Sequence, residues 1–430
     1  MNMLLMFSAL ILSSSVMAQS YAIRAGTTID PGSGQIKRDQ IILVDDGVIK
    51  QIGSHIAIAP GVQVVDLSGD WVMPGLMDAH THLSLAEAST DVVPLESTYL
   101  RESTAYRALR GMRNATILLS AGFTTIRDVG NSGDYAMQDV RRAIANGIFP
   151  GPTVIDAGKI IAPFGGQSHD IPQELGRVWA FDYLDADGAA EIRKAVRTNI
   201  YYGAGVIKLA LDNSAYHYSL EEMRAAVEEA HHAGIPVAVH VYGGEAADIA
   251  IEAGVDSIEH GFDLTDAQLQ KMKEKGIFLA GTDYPRAHLD KLGTAGGLIP
   301  EPAVLAPKII DRLARAHKIG VRVVFSTDTV DDMPGRTRAE MMFDYLSVWR
   351  AAGISPLDIL KSMTSEPAAL LRVDGARGHL AVGQHADLIG VAADPLSDVE
   401  NLRRVEFVMK EGRTVRSPPA TARPSGESGR

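Results

Sequence analysis

The sequence predicts an α/β chain folded as a (β/α)8 TIM barrel, with a small β-sandwich domain assembled from both termini. Three observations carry this expectation: a repeated helix–Gly–strand unit, a total of eight short apolar runs, and strand-like segments flanking them on either side. The unit recurs in "LLSAGFTTIRDVG", "AHHAGIPVAVHVYG", "AIEAGVDSIEHG", "MKEKGIFLAGT" and "AHKIGVRVVFSTD". In these, Gly122, Gly234, Gly254, Gly276 and Gly320 stand where a helix needs a left-handed residue before a strand begins. Adding "WVMPGLMDAH", "GPTVIDAG" and "AGVIKLAL" gives eight strands, the last followed by the helical pattern "SPLDILKSMTSEPAALL". That count predicts a barrel over residues 73–371. A doubly wound open sheet shares the same local grammar and stays an alternative at this level.

The flanks differ in character. "QIILVDDGVIKQIG", "GVQVVDLSGDWV" and "DLIGVAADP" to "VEFVMKEGRTV" have strand periodicity broken by turn dipeptides. Neither flank has enough strands to stand alone, so residues 20–72 and 373–415 are expected to form one composite domain. Residues 1–18 read as a secretory signal peptide: a short apolar core precedes the small-residue pattern ending Val16-Met17-Ala18. The core is too short to span a bilayer, and we expect an exported, periplasmic or secreted protein. Residues 416–430, rich in Pro, Ser and Gly, read as a disordered tail.

Composition narrows the function. A net charge of -12 argues against nucleic acid or an anionic membrane surface as partner. A small-molecule or peptide substrate fits better, and we expect a homo-oligomer. The chain has no cysteine, so disulfides, thiolate ligands and a Cys nucleophile are excluded together. Any metal must be held by nitrogen and oxygen.

Barrel enzymes build their sites at the carboxyl ends of the strands. Those ends carry His80 and His82 on strand 1, Lys208 on strand 4, His240 on strand 5, His260 on strand 6 and Asp328 on strand 8. In a strand, side chains alternate, so His80 and His82 share a face. Four imidazoles and a carboxylate suffice for two divalent ions, with zinc the first candidate. A protonated lysine is a poor ligand, but CO2 added to a desolvated Lys208 gives a carbamate whose two oxygens can bridge two metals. Singly, each residue has a plainer role: a lone strand histidine in the core, Lys208 in a salt bridge, Asp328 as a helix cap. Their joint occurrence favours the metal site. His55, His231, His232, His317, His379 and His385 fall in expected helices or the small domain and read as structural.

The set "DAHTH", "VIKLA", "VAVHV", "SIEHG" and "FSTD" resembles the amidohydrolase superfamily of metal-dependent hydrolases, and "GHLAVGQHADLIG" resembles its carboxyl-terminal β-domain signature. The resemblance covers nearly the whole chain after the signal peptide. It implies that His80, His82 and Asp328 bind one metal, His240 and His260 the second, and an N6-carboxylated Lys208 both. "GFTTIRDVG" and "AGVIKLALDN" look closest to the imidazolonepropionase-like branch, which includes Xaa-Pro and related dipeptidases, N-acyl amino acid hydrolases and enzymes that cleave the ochratoxin amide. One departure is local: the stretch after Lys208 reads "ALDNSAYHYS" where several of these dipeptidases have a Gly-Gly loop.

The resemblance implies a binuclear amidohydrolase acting through a hydroxide that bridges the two metals, on a dipeptide or N-acyl amino acid. Asp328 is placed to move a proton from water to the leaving nitrogen. Tyr242 is a candidate hydrogen-bond donor to the developing oxyanion, or a packing residue at the rim. His169, His217 and Arg286, on loops, are candidate partners for a substrate carboxylate. Two other classes remain open: a mononuclear cyclic-amide hydrolase or deaminase, which Lys208 argues against, and a non-catalytic scaffold, which the intact ligand set argues against.

Overall fold

A computed structural model of the chain describes residues 20–85, 87–88, 100–130, 133–168, 171–212, 216–292, 300–332 and 335–417. The expected signal peptide and nearly all of the expected tail lie outside the described residues. The chain opens with β1 (Tyr21–Asp30), β2 (Gln35–Asp45) and β3 (Val48–Gly53), joined as antiparallel neighbours, and β4 (Gln63–Pro74), which lies parallel to β1. It then leaves this sheet at Gly75. A Cβ there would stand 2.2 Å from Thr124 Oγ1, so only glycine lets the chain pass between sheet and barrel.

The barrel strands follow in sequence order. They are β5 (Leu76–Thr81), β6 (Phe123–Asp128), β7 (Thr153–Asp156) continued by β8 (Ile160–Ala162), β9 (Ile207–Ala210), β10 (Val237–Gly243), β11 (Ser257–Asp263), β12 (Phe278–Ala280) and β13 (Val323–Val324). Neighbours pair in parallel from β5 to β7 and from β8 to β13. Two further sets of backbone bonds close the ring. Gly205 N–H donates to Asp156 O at 2.8 Å, and across the last gap Ala79 N–H donates to Phe325 O at 2.9 Å and Asp328 N–H to His80 O at 2.8 Å. The sheet is therefore closed, and the open-sheet alternative falls away.

The barrel strands are short and largely buried, as parallel barrel strands tend to be, although Thr153 and Ile155 of β7 are only half-buried. Ile207 and Leu209, Val239 and Val241, and Ile258 join the main apolar core with helix residues such as Leu118, Met223 and Leu313. The five glycines expected to end helices all have positive φ: 101°, 73°, 82°, 72° and 92° for Gly122, Gly234, Gly254, Gly276 and Gly320.

After the barrel the chain returns to the first sheet as β14 (Leu388–Val391), β15 (Val405–Lys410) and β16 (Arg413–Arg416). The order is β16-β15-β14-β4-β1-β2-β3, one mixed seven-stranded sheet from both termini. Its two outer hairpins meet: Ala386 N–H donates to Gly47 O, and Gly412 N–H donates to Ala386 O. A Cβ on Gly47 would lie 2.9 Å from Glu411 O. The two layers of the small domain are thus the halves of a single coiled sheet, enclosing Ile23, Ile42, Ile49, Leu388 and Phe407.

Candidate metal centre

The carboxyl ends of the strands bring together all six residues named from the sequence for metal binding. His80, His82, Lys208, His240 and His260 are each buried, while Asp328 keeps a side chain 15% exposed. The His80 ring centroid lies 5.2 Å from those of His82 and His260, and His240 and His260 are 4.4 Å apart. Asp328 Oδ1 lies 3.2 Å from His82 Nε2 and 3.6 Å from His80 Nε2, and Oδ2 is 3.9 Å from His260 Nδ1. One donor atom from each of His80, His260 and Asp328 falls within 4.8 Å of the others.

Alternation alone does not deliver this set. Ser257 and Glu259 meet Arg127 inside the barrel while Ile258 packs into the core around it. Continued alternation would send His260 outward with Ile258. Instead His260 takes a left-handed backbone, φ 67°, followed by Gly261 at 58°, and its ring turns back over the mouth. Asp328 (φ 53°) and Thr282 (φ 46°), which meets His260 Nδ1 at 2.8 Å, are left-handed too. Non-glycine residues in this region cost about 1–3 kcal/mol each, and such strain gathers at functional sites.

The imidazoles are oriented from behind. Glu259 Oε2 lies 2.6 Å from His80 Nδ1, and Gly130 O lies 3.0 Å from His82 Nδ1. With Nδ1–H donating in each, both Nε2 atoms are left as acceptors facing the cluster. Glu259 is itself held by Arg127, whose Nη2 donates to both carboxylate oxygens at 2.8 and 2.9 Å. Burial alone would raise the Glu259 carboxyl, but Arg127 and His80 hold it down at about 2.

Charge in the cluster follows from burial and crowding. Burial, reinforced by Lys208, lowers His80 to about 4 against the pull of Asp328 and Glu259. Burial and the neighbouring His240 and His80 hold His260 well below its ordinary value. Burial opposes ionisation of Asp328 too, yet His80, His82 and His260 keep it an anion. Burial lowers Lys208 to about 8, with Arg127 adding to the effect and Glu259, Asp328 and Asp212 opposing it. Burial opposes protonation of His82, yet Asp328 raises it above its ordinary value. Neutral imidazoles at His80 and His260, an ionised Asp328 and a lysine partly deprotonated near neutrality are donors that fit divalent cations, and a cation beside Asp328 would displace the His82 proton.

The other named residues are placed differently. The Tyr242 ring lies 4.9 Å from His240 and 5.6 Å from His260, and stacks on Phe262 at 5.0 Å. It faces the cluster and packs on its rim at once. His217 is exposed, with Nδ1 3.4 Å from Tyr218 O. Arg286 pairs with Asp290 at 2.6 Å on its own helix. Neither makes a described contact with the cluster. His169 lies outside the described residues.

Sequence reasoning missed four residues around the cluster. Glu259 and Arg127 support His80; Tyr284 donates its hydroxyl to Asp328 Oδ2 at 2.6 Å; and Asp212 Oδ1 lies 3.3 Å from His240 Nε2. Glu259, beside His260 in "SIEHG", is a carboxylate inside an apolar strand, and that signal was available.

Comparisons with known proteins identify the family and the fold. Residues 71–415 match the Amidohydrolase family. The chain is 29% identical to ochratoxinase from Aspergillus niger, over 95% of this chain and 89% of that protein. Among solved structures it resembles a Xaa-Pro dipeptidase with bound methionine in the active site, with a TM-score of 0.80 and 28% identity over 92% of this chain and 99% of that one. It also resembles a prolidase complexed with N-methylphosphonate-L-proline, with a TM-score of 0.80 and 27% identity over 93% and 100% of the two chains.

Proposed function

The chain belongs to the amidohydrolase family and is a metal-dependent hydrolase of carbon–nitrogen bonds, and from that premise we propose a binuclear enzyme that cleaves the amide of a dipeptide or N-acyl amino acid. The observation that carries the binuclear reading is Lys208: a buried amine, lowered to about 8, within β9 and close enough to His80 and His260 to bias their protonation. A free-base fraction at neutral pH can take up CO2, which turns a repelling cation into an anionic oxygen donor. His80, His82 and Asp328 would hold one ion, His240 and His260 the other, and carboxylated Lys208 both.

Two divalent ions, with zinc the first candidate, would lower the pKa of water held there and polarise the amide carbonyl. The chain supplies the rest. Asp328 takes the proton from water and delivers it to the leaving nitrogen, which cannot depart as an anion. The Tyr284 hydroxyl fixes the carboxylate for that transfer. Tyr242 is the candidate hydrogen-bond donor to the carbonyl oxygen as charge develops there.

The substrates in the names of the relatives, ochratoxin and Xaa-Pro dipeptides, support an amide substrate. We take the leaving group to be an amino acid with a free carboxylate. Its recognition predicts that amidating the carboxylate of an N-acyl amino acid lowers kcat/KM by about 10-fold or more, because charge-assisted donors are left unpaired. Equal cleavage of acid and amide would contradict that reading. No helix among the described residues is long and apolar enough to cross a membrane.

A further inference from the structure

Asp212 lies just beyond β9, four residues after Lys208, in the stretch where the sequence departs from the Gly-Gly loop. Its Oδ2 accepts the backbone N–H of Tyr242 at 2.6 Å, which fixes the carboxylate against the end of β10. Its Oδ1 is buried, makes no hydrogen bond, and lies 3.3 Å from His240 Nε2. A buried carboxylate oxygen without a donor is costly, so the site is completed by something cationic or donating.

Position indicates what that is. Asp328 follows β13 and Asp212 follows β9, on opposite sides of the ring. Asp328 crowds His80, His82 and His260, while Asp212 approaches His240. Two carboxylates thus flank the cluster from opposite walls. Asp328 must face the leaving nitrogen to protonate it, so the acyl half of the substrate extends toward β9 and β10. In a dipeptide the α-ammonium group stands one carbon from the scissile carbonyl on that same side. An N-acyl amino acid carries no cation there.

We propose that Asp212 accepts the α-ammonium group of the acyl residue and makes a dipeptide with a free amino terminus the favoured substrate. This rests on the amide-hydrolase reading above and narrows its substrate class. The charge-assisted hydrogen bond made by Oδ1 gives the free-amine substrate its advantage, and a blocked or missing amine leaves Oδ1 without a donor.

The test compares leucyl-phenylalanine with 4-methylpentanoyl-phenylalanine, which is identical but for the missing amine, using metal-loaded wild type and Asp212→Asn. Asparagine keeps a side-chain oxygen for the Tyr242 N–H and removes only the charge. Wild type should favour leucyl-phenylalanine in kcat/KM. In Asp212→Asn that value should fall about 10- to 100-fold while the amine-free substrate changes by less than about 3-fold and metal content stays at the wild-type level. An equal fall for both substrates would overturn the proposal, as would loss of metal, which would make Asp212 a ligand instead. Cleavage of the amine-free substrate alone would overturn it while leaving the amide-hydrolase reading intact. Cleavage of neither by wild type would overturn both.

Discussion

Tyr284 and Asp328, 44 residues apart, are joined by a 2.6 Å hydrogen bond from the phenol to Oδ2, which leaves Oδ1 turned toward His80 and His82. Asp328 therefore divides its two oxygens between a fixed partner and the histidine cluster. Burial, with Asp328 alongside, pushes the Tyr284 hydroxyl well above its ordinary value, so it remains a donor. Tyr284→Phe should lower kcat about 10-fold, with KM and metal content close to wild type, since a hydrogen bond to a charged group contributes about 1.5–3 kcal/mol. A matching rise in KM would assign Tyr284 to substrate binding.

Glu259 links the histidine cluster to the barrel interior, touching His80 on one side and Arg127 on the other. Glu259→Gln retains the shape but leaves the Arg127 guanidinium buried without a countercharge. Stability should fall by about 3–5 kcal/mol in urea titrations, and metal affinity by about 10- to 100-fold in chelator competition. Unchanged metal affinity would show that Glu259 serves the fold alone.

These two residues mark how far the sequence could be read. The barrel was legible because β-rich runs after Gly at helix ends have a local cause, and the five left-handed glycines bear it out. His80 and His82 were legible because a two-residue period is local. His260 was reachable only as a residue near a strand end, since the turn that re-aims it is a φ of 67° that nothing in "SIEHG" before Gly261 announces. Tyr284 and Asp212 were not legible because their roles depend on which strand end stands opposite which, and that is fixed only when Ala79 and Phe325 close the ring. Arg286 was misleading for a related reason: its charge is spent within its own helix on Asp290.

Asp156, at the end of β7, gives a pH signature away from the histidine cluster. Burial pushes its carboxyl up to about 7, with Arg141 at 3.1 Å opposing and Asp128 adding to the rise. Between about pH 4 and that value the folded chain keeps a proton that the unfolded chain has released, so this group makes stability fall as pH rises. Asp156→Asn removes the titration. The stability of the variant relative to wild type should therefore improve between pH 4 and 7, on the order of 2 kcal/mol. Parallel pH profiles for the two proteins would contradict the assignment.

In the proposed centre His80, His82, Lys208, His240, His260 and Asp328 hold two ions, with carboxylated Lys208 between them. Metal content per active chain, measured on wild type and Lys208→Ala by elemental analysis of the same samples assayed for activity, tests it most directly. Wild type should hold close to two divalent ions, with metal and activity both lost in Lys208→Ala and part of the activity restored by short carboxylates in solution. Full wild-type activity with no more than one ion per chain, or a fully active Lys208→Ala variant, would contradict it.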